Sequence, residues 1–274
     1  MKKQVGFVFH EDYLNHDTGF HPESSERLIH ILNHIKETGL SEQVEFIDPR
    51  LATEKEVEII HTDTYIRYVK ETCESGGGYL DIDTYVSPLS FQAALRAVGG
   101  VLDAVDLVMT EKLKSVFCAV RPPGHHAESS RAMGFCVFNN IAVGAIYSIK
   151  KYGISRVLIV DWDCHHGNGS QHIFESDPRV FYFSIHQYPH YPGTGIMSET
   201  GIDKGQGTTL NIPLPPRSGD KEYINAFETR LEPLMNTWKP ELIMISAGFD
   251  AHVSDPLCAM NVTTQGFHKL TDIV

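Results

Sequence analysis

The sequence predicts an α/β fold built on a mostly parallel sheet. Two observations point there. Short apolar runs recur along the 274 residues, and helical patterns fall between them. Apolar runs without alternation suit strands buried on both faces, which is the mark of a parallel sheet covered by helices. Strand–helix alternation over this length then gives the class.

The elements follow in order. The strand runs are Val5–Phe9, Val116–Val120, Val157–Val160, Val180–Ile185 and Leu242–Ser246. The first helix is read from Leu28, Ile31, Leu32 and Ile35, spaced i, i+3, i+4, i+7, with Gly39 as its stop. Phe91 to Val108 is rich in alanine and valine. Ile141 to Lys151 ends before Gly153, and Lys221 to Trp238 ends before Pro240. A last helix begins near Thr263-Thr264. Gly76-Gly77-Gly78 reads as a flexible loop. With no repeat and no linker, a single domain over 1–274 is expected.

Composition narrows the function. Hydrophobic residues make up 42% and charged residues 21%, as in a soluble globular protein. The net charge of −12 is the wrong sign for a nucleic-acid footprint. Neither a secretory signal nor a run of transmembrane length is visible, so no membrane partner is expected. Cys73, Cys118, Cys136, Cys164 and Cys258 form no C-x-x-C pair, and free thiols in a reducing, cytoplasmic setting are expected.

The chemistry gathers where strands end. Val157–Val160 runs into Asp161-Trp162-Asp163-Cys164-His165-His166-Gly167. In extended backbone Asp161, Asp163 and His165 point the same way. Val116–Val120 leads to Arg121-Pro122-Pro123-Gly124-His125-His126, and Leu242–Ser246 leads to Ala247-Gly248-Phe249-Asp250. Ligands of open α/β sheets bind at the carboxyl ends of the strands. One crevice there gathers Asp163, His165 and Asp250, three N/O ligands that leave a position open as catalytic zinc sites do. His125 and His126 supply acid–base function. His30, His34, His172 and His268 lie in helical patterns and read as surface or packing residues.

These motifs resemble the histone deacetylase superfamily, including bacterial histone deacetylase-like amidohydrolases, acetylpolyamine amidohydrolases and acetoin-utilisation proteins. The stretches that carry the resemblance are RPPGHHAESSRAMGFCVFNN (121–140), VDWDCHHGNGSQHIF (160–174), SIHQYPHYPGTG (184–195) and SAGFDAHVSDPL (246–257). Near the start, HPESSERL (21–28) and HTDTY (61–65) also match. The resemblance implies a three-layer arginase/deacetylase fold. The activity it implies is zinc-dependent hydrolysis of N-acyl amines, typically acetyl-lysine side chains.

By the same resemblance, Asp163, His165 and Asp250 hold one catalytic ion, zinc first, with Fe2+ or Co2+ also suited to such ligands. His126 is the general base, and Asp161 backs His125. Asn168 stands where the partner of His126 belongs. It is neutral, so His126 is expected to be less basic than His125. Gly134, Phe135, Tyr191 and Leu257 line the substrate passage, and Arg27 lies in an inner cavity. Asp161, Asp163, His165, Ser184 and Ile185 form a structural potassium site.

Arginase-like two-metal sites need further carboxylates. Gly167 and Gly248 stand where those would be, so one metal is expected. Leu257 lends no charge to the gate, which favours an acyl-lysine protein or peptide over an acylated polyamine. The family also uses an oxyanion-binding tyrosine in a glycine-rich segment well beyond the last zinc ligand. That segment is not among these residues, and Tyr188 and Tyr191 do not match it. The resemblance therefore implies a catalytic domain lacking its C-terminal part, with metal binding kept and turnover lowered by ~10²–10³.

Overall fold

A computed structural model describes residues 3–274. It divides into two compact units, Met1–Gly153 and Ile154–Val274.

In the first unit, β1 (Val5–Val8) is the centre of a parallel sheet. β2 (Val44–Ile47) lies on one side and β5 (Ser115–Cys118) on the other. A small antiparallel hairpin joins β3 (Gly78–Asp81) to β4 (Thr84–Val86). The glycine run is thus only partly loop, because Gly78 already pairs with Val86. The helices are α1 (Glu26–Glu37), α2 (Glu54–Val57), α3 (Asp63–Glu74), α4 (Ser90–Met109) and α5 (Asn140–Tyr152). The predicted stripe of α1 is the one used. Leu28 is fully buried beside Phe7, Tyr13 and Ala97, with Ile31, Leu32 and Ile35 packed against them.

The second unit is built on β6 (Val157–Asp161), β7 (Val180–Gln187), β8 (Thr209–Leu214) and β9 (Leu242–Ser246), ordered β8-β7-β6-β9 and parallel throughout. Its helices are α6 (Asn168–Phe174), α7 (Asp220–Ala226), α8 (Glu232–Trp238) and α9 (Thr264–Ile273), with a π-helical turn at Phe227–Leu231 joining α7 to α8. Every residue of β6 is buried, as its unbroken apolar run requires. Leu158, Val160, Trp162, Phe181 and Phe183 share one core with Phe227, Leu231 and Leu270. Parallel register aligns the carboxyl ends of β6, β7 and β9, and Asp161 pairs with both Ser184 and Ser246.

The expectation of five free thiols fails at two of them. Cys164 and Cys258 are joined by a disulfide, with Cα atoms 6.7 Å apart. The loops that follow β6 and β9 bring them together across 94 positions of sequence, a separation that spacing rules cannot see. Cys73, Cys118 and Cys136 take part in no disulfide among the described residues.

Three buried histidines make the fold sensitive to acid. Burial lowers His16, His61 and His186 to about 4. The bond that His61 accepts needs a neutral ring. His61 Nε2 accepts the Asn139 N–H at 2.9 Å, and His186 lies between the Ser184 hydroxyl at 2.9 Å and the Gly195 carbonyl at 3.0 Å. A histidine is near 6.5 when unfolded, so protons favour the unfolded chain between about 6.5 and about 4. Stability is present above that window and is lost as pH falls through it, by at most about 3 kcal/mol per ring. Thermal melts in chelator at pH 7 and pH 5 are expected to show a clear drop in Tm at pH 5. An unchanged Tm would refute this account.

Candidate metal centre

The strand itself ends at Asp161, so strict alternation does not carry on to His165. A bend replaces it. Asp161 Oδ1 accepts the Asp163 N–H at 3.2 Å, and Asp163 Oδ1 accepts the His165 N–H at 2.8 Å. Carboxylates that capture the amide two residues on hold the chain in tight Asx turns. Asp161 is fully buried, and its other oxygen accepts the Tyr182 hydroxyl at 3.0 Å. The bend leaves Asp163 and His165 half-buried and directs both at Asp250.

These three residues meet. His165 Nδ1 lies 3.1 Å from Asp163 Oδ1 and 2.8 Å from Asp250 Oδ2, and Asp250 Oδ1 accepts the Cys164 N–H at 2.8 Å. One ligand atom from each of Asp163, Cys164, His165 and Asp250 falls within 4.8 Å of the others. Gly248 makes room for this. A Cβ there would collide with the Asp163 carboxylate, so the position expected to hold another acid in a two-metal site has no space for any side chain.

The electrostatics fit a cation. Burial raises the Asp250 carboxyl, and the neighbouring Asp163 charge raises it further. Burial works against charge on His165, yet its bonds to Asp163 and Asp250 prevail and raise it to about 10. Two crowded carboxylates thus draw a proton onto the imidazole between them. A divalent ion relieves the same repulsion, and the donor set of two carboxylates and an imidazole suits zinc.

Other expected residues take these places. Ser184 and Ile185 are buried in β7, Ser184 being the register partner of Asp161. Asn168 opens α6 and is buried. Tyr191 is 37% exposed, its ring edge-on to His165 at 6.1 Å, and Leu257 is equally exposed. In the first unit His125 and His126 are buried with rings 4.0 Å apart. Gly134 lies against His126, at a φ of 57°, where a Cβ would strike the imidazole. Phe135 meets the His21 ring edge-on at 4.5 Å. Arg27 donates to the Val120 carbonyl at 3.0 Å and faces Glu23 at 3.6 Å. The helical histidines His30, His34, His172 and His268 are exposed, as expected.

Sequence reasoning missed several contributors. Asp83, in the β3–β4 turn, accepts the Gly134 N–H at 3.0 Å. Tyr182 read as core strand and is also the donor that satisfies Asp161. Tyr223 is fully buried on α7, and burial followed by the charges of Asp250 and Asp163 pushes its phenol up. His190 stacks on His165 at 5.0 Å. Only the polar handle on a buried aromatic hinted at the two tyrosines.

The model of the histone deacetylase domain matches residues 21–274. The chain belongs to the histone deacetylase family. A "Probable deacetylase" of Archaeoglobus fulgidus is 41% identical over 269 residues, which is 97% of this chain and 74% of that protein. The "Polyamine deacetylase HDAC10" of Homo sapiens is 37% identical, covering 98% of this chain and 43% of that protein. Among solved structures, "Crystal Structure of HDA15 HD domain" superposes with a TM-score of 0.94 at 38% identity, covering 98% of this chain and 80% of that one. The α/β arginase/deacetylase-like fold expected from the sequence is therefore the observed one. The match makes this histone deacetylase family member a deacetylase-type hydrolase with a candidate metal cluster. No helix among its described residues is long and apolar enough to cross a membrane.

Proposed function

We propose that the chain is a zinc-dependent amidohydrolase that removes acyl groups, acetyl first, from lysine side chains of proteins or peptides. The observation that carries this is the convergence of Asp163, His165 and Asp250 in a chain of this family. These three would hold the ion, which when bound supplies Lewis acidity toward the amide carbonyl and a more acidic water. His126 takes the proton as general base, with His125 as its partner in proton transfer. Asp161 serves by position, since it is fully buried and already accepts two hydrogen bonds. With Ser184 and the backbone near Ile185 it would hold potassium. Asn168, being uncharged, leaves His126 less basic than His125. Phe135 and Tyr191 supply apolar walls for an acyl-lysine stem, and Leu257 adds no charge to the entrance.

The similarity to a polyamine deacetylase supports a second reading, hydrolysis of acylated small amines. The zinc-loaded protein should be given an acetyl-lysine peptide, a trifluoroacetyl-lysine peptide and an N-acetylated polyamine, beside an Asp163→Ala control. Hydrolysis of the lysine peptides, faster for the activated acyl group and absent in the control, is expected. Faster turnover of the polyamine moves the assignment to the second reading. No turnover of any substrate with zinc bound overturns both and leaves a metal-bound acyl-lysine binding module.

A further inference from the structure

Cys164 sits between two candidate metal ligands, and its disulfide partner Cys258 sits next to Leu257 at the expected entrance. Cys164 is fully buried and Cys258 is part-exposed. Cys258 Sγ is 2.9 Å from the Asp250 carbonyl, and Cys164 Sγ is 3.6 Å from His165 Nδ1. The crosslink therefore fastens the segment just beyond Asp250 to the loop carrying Asp163 and His165. The same segment has weaker ties as well. The Ala259 N–H donates to Gln187 Oε1 at 2.8 Å, and the Leu257 N–H donates to Asp255 at 2.8 Å. None of these bonds runs through the S–S bond, and the Cys258 sulfur already lies within reach of the Asp250 carbonyl. Both states thus have a folded arrangement available.

We propose that Cys164 and Cys258 are a dithiol oxidation site, closed by a peroxide-class oxidant and opened by a dithiol reductant, and that closing it tightens the metal centre. The chemistry balances. The part-exposed Cys258 thiolate attacks the peroxide O–O bond, giving a sulfenic acid and releasing hydroxide. The Cys164 sulfur then attacks that sulfur, forming the S–S bond. The sulfenic oxygen leaves as water, taking up the thiol proton. Two thiols lose two electrons and two protons, and the peroxide becomes two waters. A dithiol returns both electrons by exchange through a mixed disulfide at the accessible sulfur. Closure fixes the position of Asp250 relative to Asp163 and His165. Contacts that orient ligands typically change metal affinity by about 10–100-fold. The tightening rests on the metal-centre reading above, while the oxidation itself does not.

The test uses the full chain treated with hydrogen peroxide or with dithiothreitol, followed by removal of each reagent. Peptide mapping after alkylation reads the crosslink, and chelator competition reads zinc affinity. Peroxide is expected to link the peptides containing Cys164 and Cys258, and the linked form to hold zinc about tenfold tighter. Cys258→Ser is expected to match reduced wild type after either treatment. Failure to link the two peptides in protein that keeps its thermal transition overturns the site. Equal affinities, or tighter zinc in the reduced form through a Cys164 thiolate, overturn the tightening. If acyl-lysine turnover is absent throughout while linkage and affinity shift persist, the deacetylase reading falls and this inference stands.

Discussion

Asp250→Asn is expected to weaken zinc binding by at least about 100-fold, since even residues that only orient ligands cost about 10–100-fold. The same variant, free of metal, is expected to melt no lower than wild type, with its advantage larger at pH 8 than at pH 6. The opposite signs come from one cause. Asp250 is buried beside Asp163, and burial first and repulsion second raise its carboxyl well above the usual carboxylate range. A carboxyl raised above its unfolded value leaves the fold fully stable at low pH and costs stability as pH rises through the folded value. Asparagine removes that cost and keeps an oxygen for the Cys164 N–H, now bonded at 2.8 Å. It also removes one of the two charges that a cation needs. Chelator competition and melts in EDTA at pH 6 and pH 8 read the two effects separately. A variant that bound zinc as wild type does would show that Asp250 is not a ligand. A metal-free variant less stable at pH 8 would show that its charge is already neutralised.

Much of this site was legible because its residues are polar where strand physics forbids them. The apolar run Val157–Val160 leads straight into Asp161, Asp163 and His165, groups that add nothing to an apolar core, so their presence signals chemistry. Alternation put Asp163 and His165 side by side through the wrong geometry, since the backbone bends after Asp161 and side-chain capture of amides sets the directions. The strands read as apolar runs all appeared, with ends shifted by at most two residues. β2 was missed because Glu45 interrupts it and its residues are at most half-buried. β8 was missed because Asn211, Pro213 and the adjoining prolines look like loop, although Asn211 is fully buried and donates to Gln171 at 2.7 Å. The Cys164–Cys258 link and the Tyr223 contact depend on which loops the sheet order juxtaposes, and that order is not written in any local pattern.

Arg121 carries the other large effect, and its burial was equally hidden inside a motif read for its histidines. The side chain is fully buried. Its Nε and Nη2 donate to the two oxygens of Glu23 at 2.6 and 2.7 Å, and Nη1 and Nη2 donate to the Tyr13 and His16 carbonyls at 2.9 and 3.0 Å. Burial alone would raise the Glu23 carboxyl, but this fork outweighs it and holds it below its usual range. Arg121→Met is expected to cost about 3–5 kcal/mol, because it strands a buried carboxylate and two carbonyls. Arg121→Lys is expected to be destabilising too, since one ammonium cannot reproduce the planar fork. The decisive comparison adds Glu23→Leu to Arg121→Met. A buried ion pair is worth little against apolar replacements of both partners, so the double variant should recover much of the loss. Urea unfolding of wild type, Arg121→Met, Glu23→Leu and the double variant gives the coupling directly. A single Arg121→Met loss under about 1 kcal/mol, or a double variant no better than the single, would mean that water satisfies Glu23 and that the pair does not anchor the segment leading to His125 and His126.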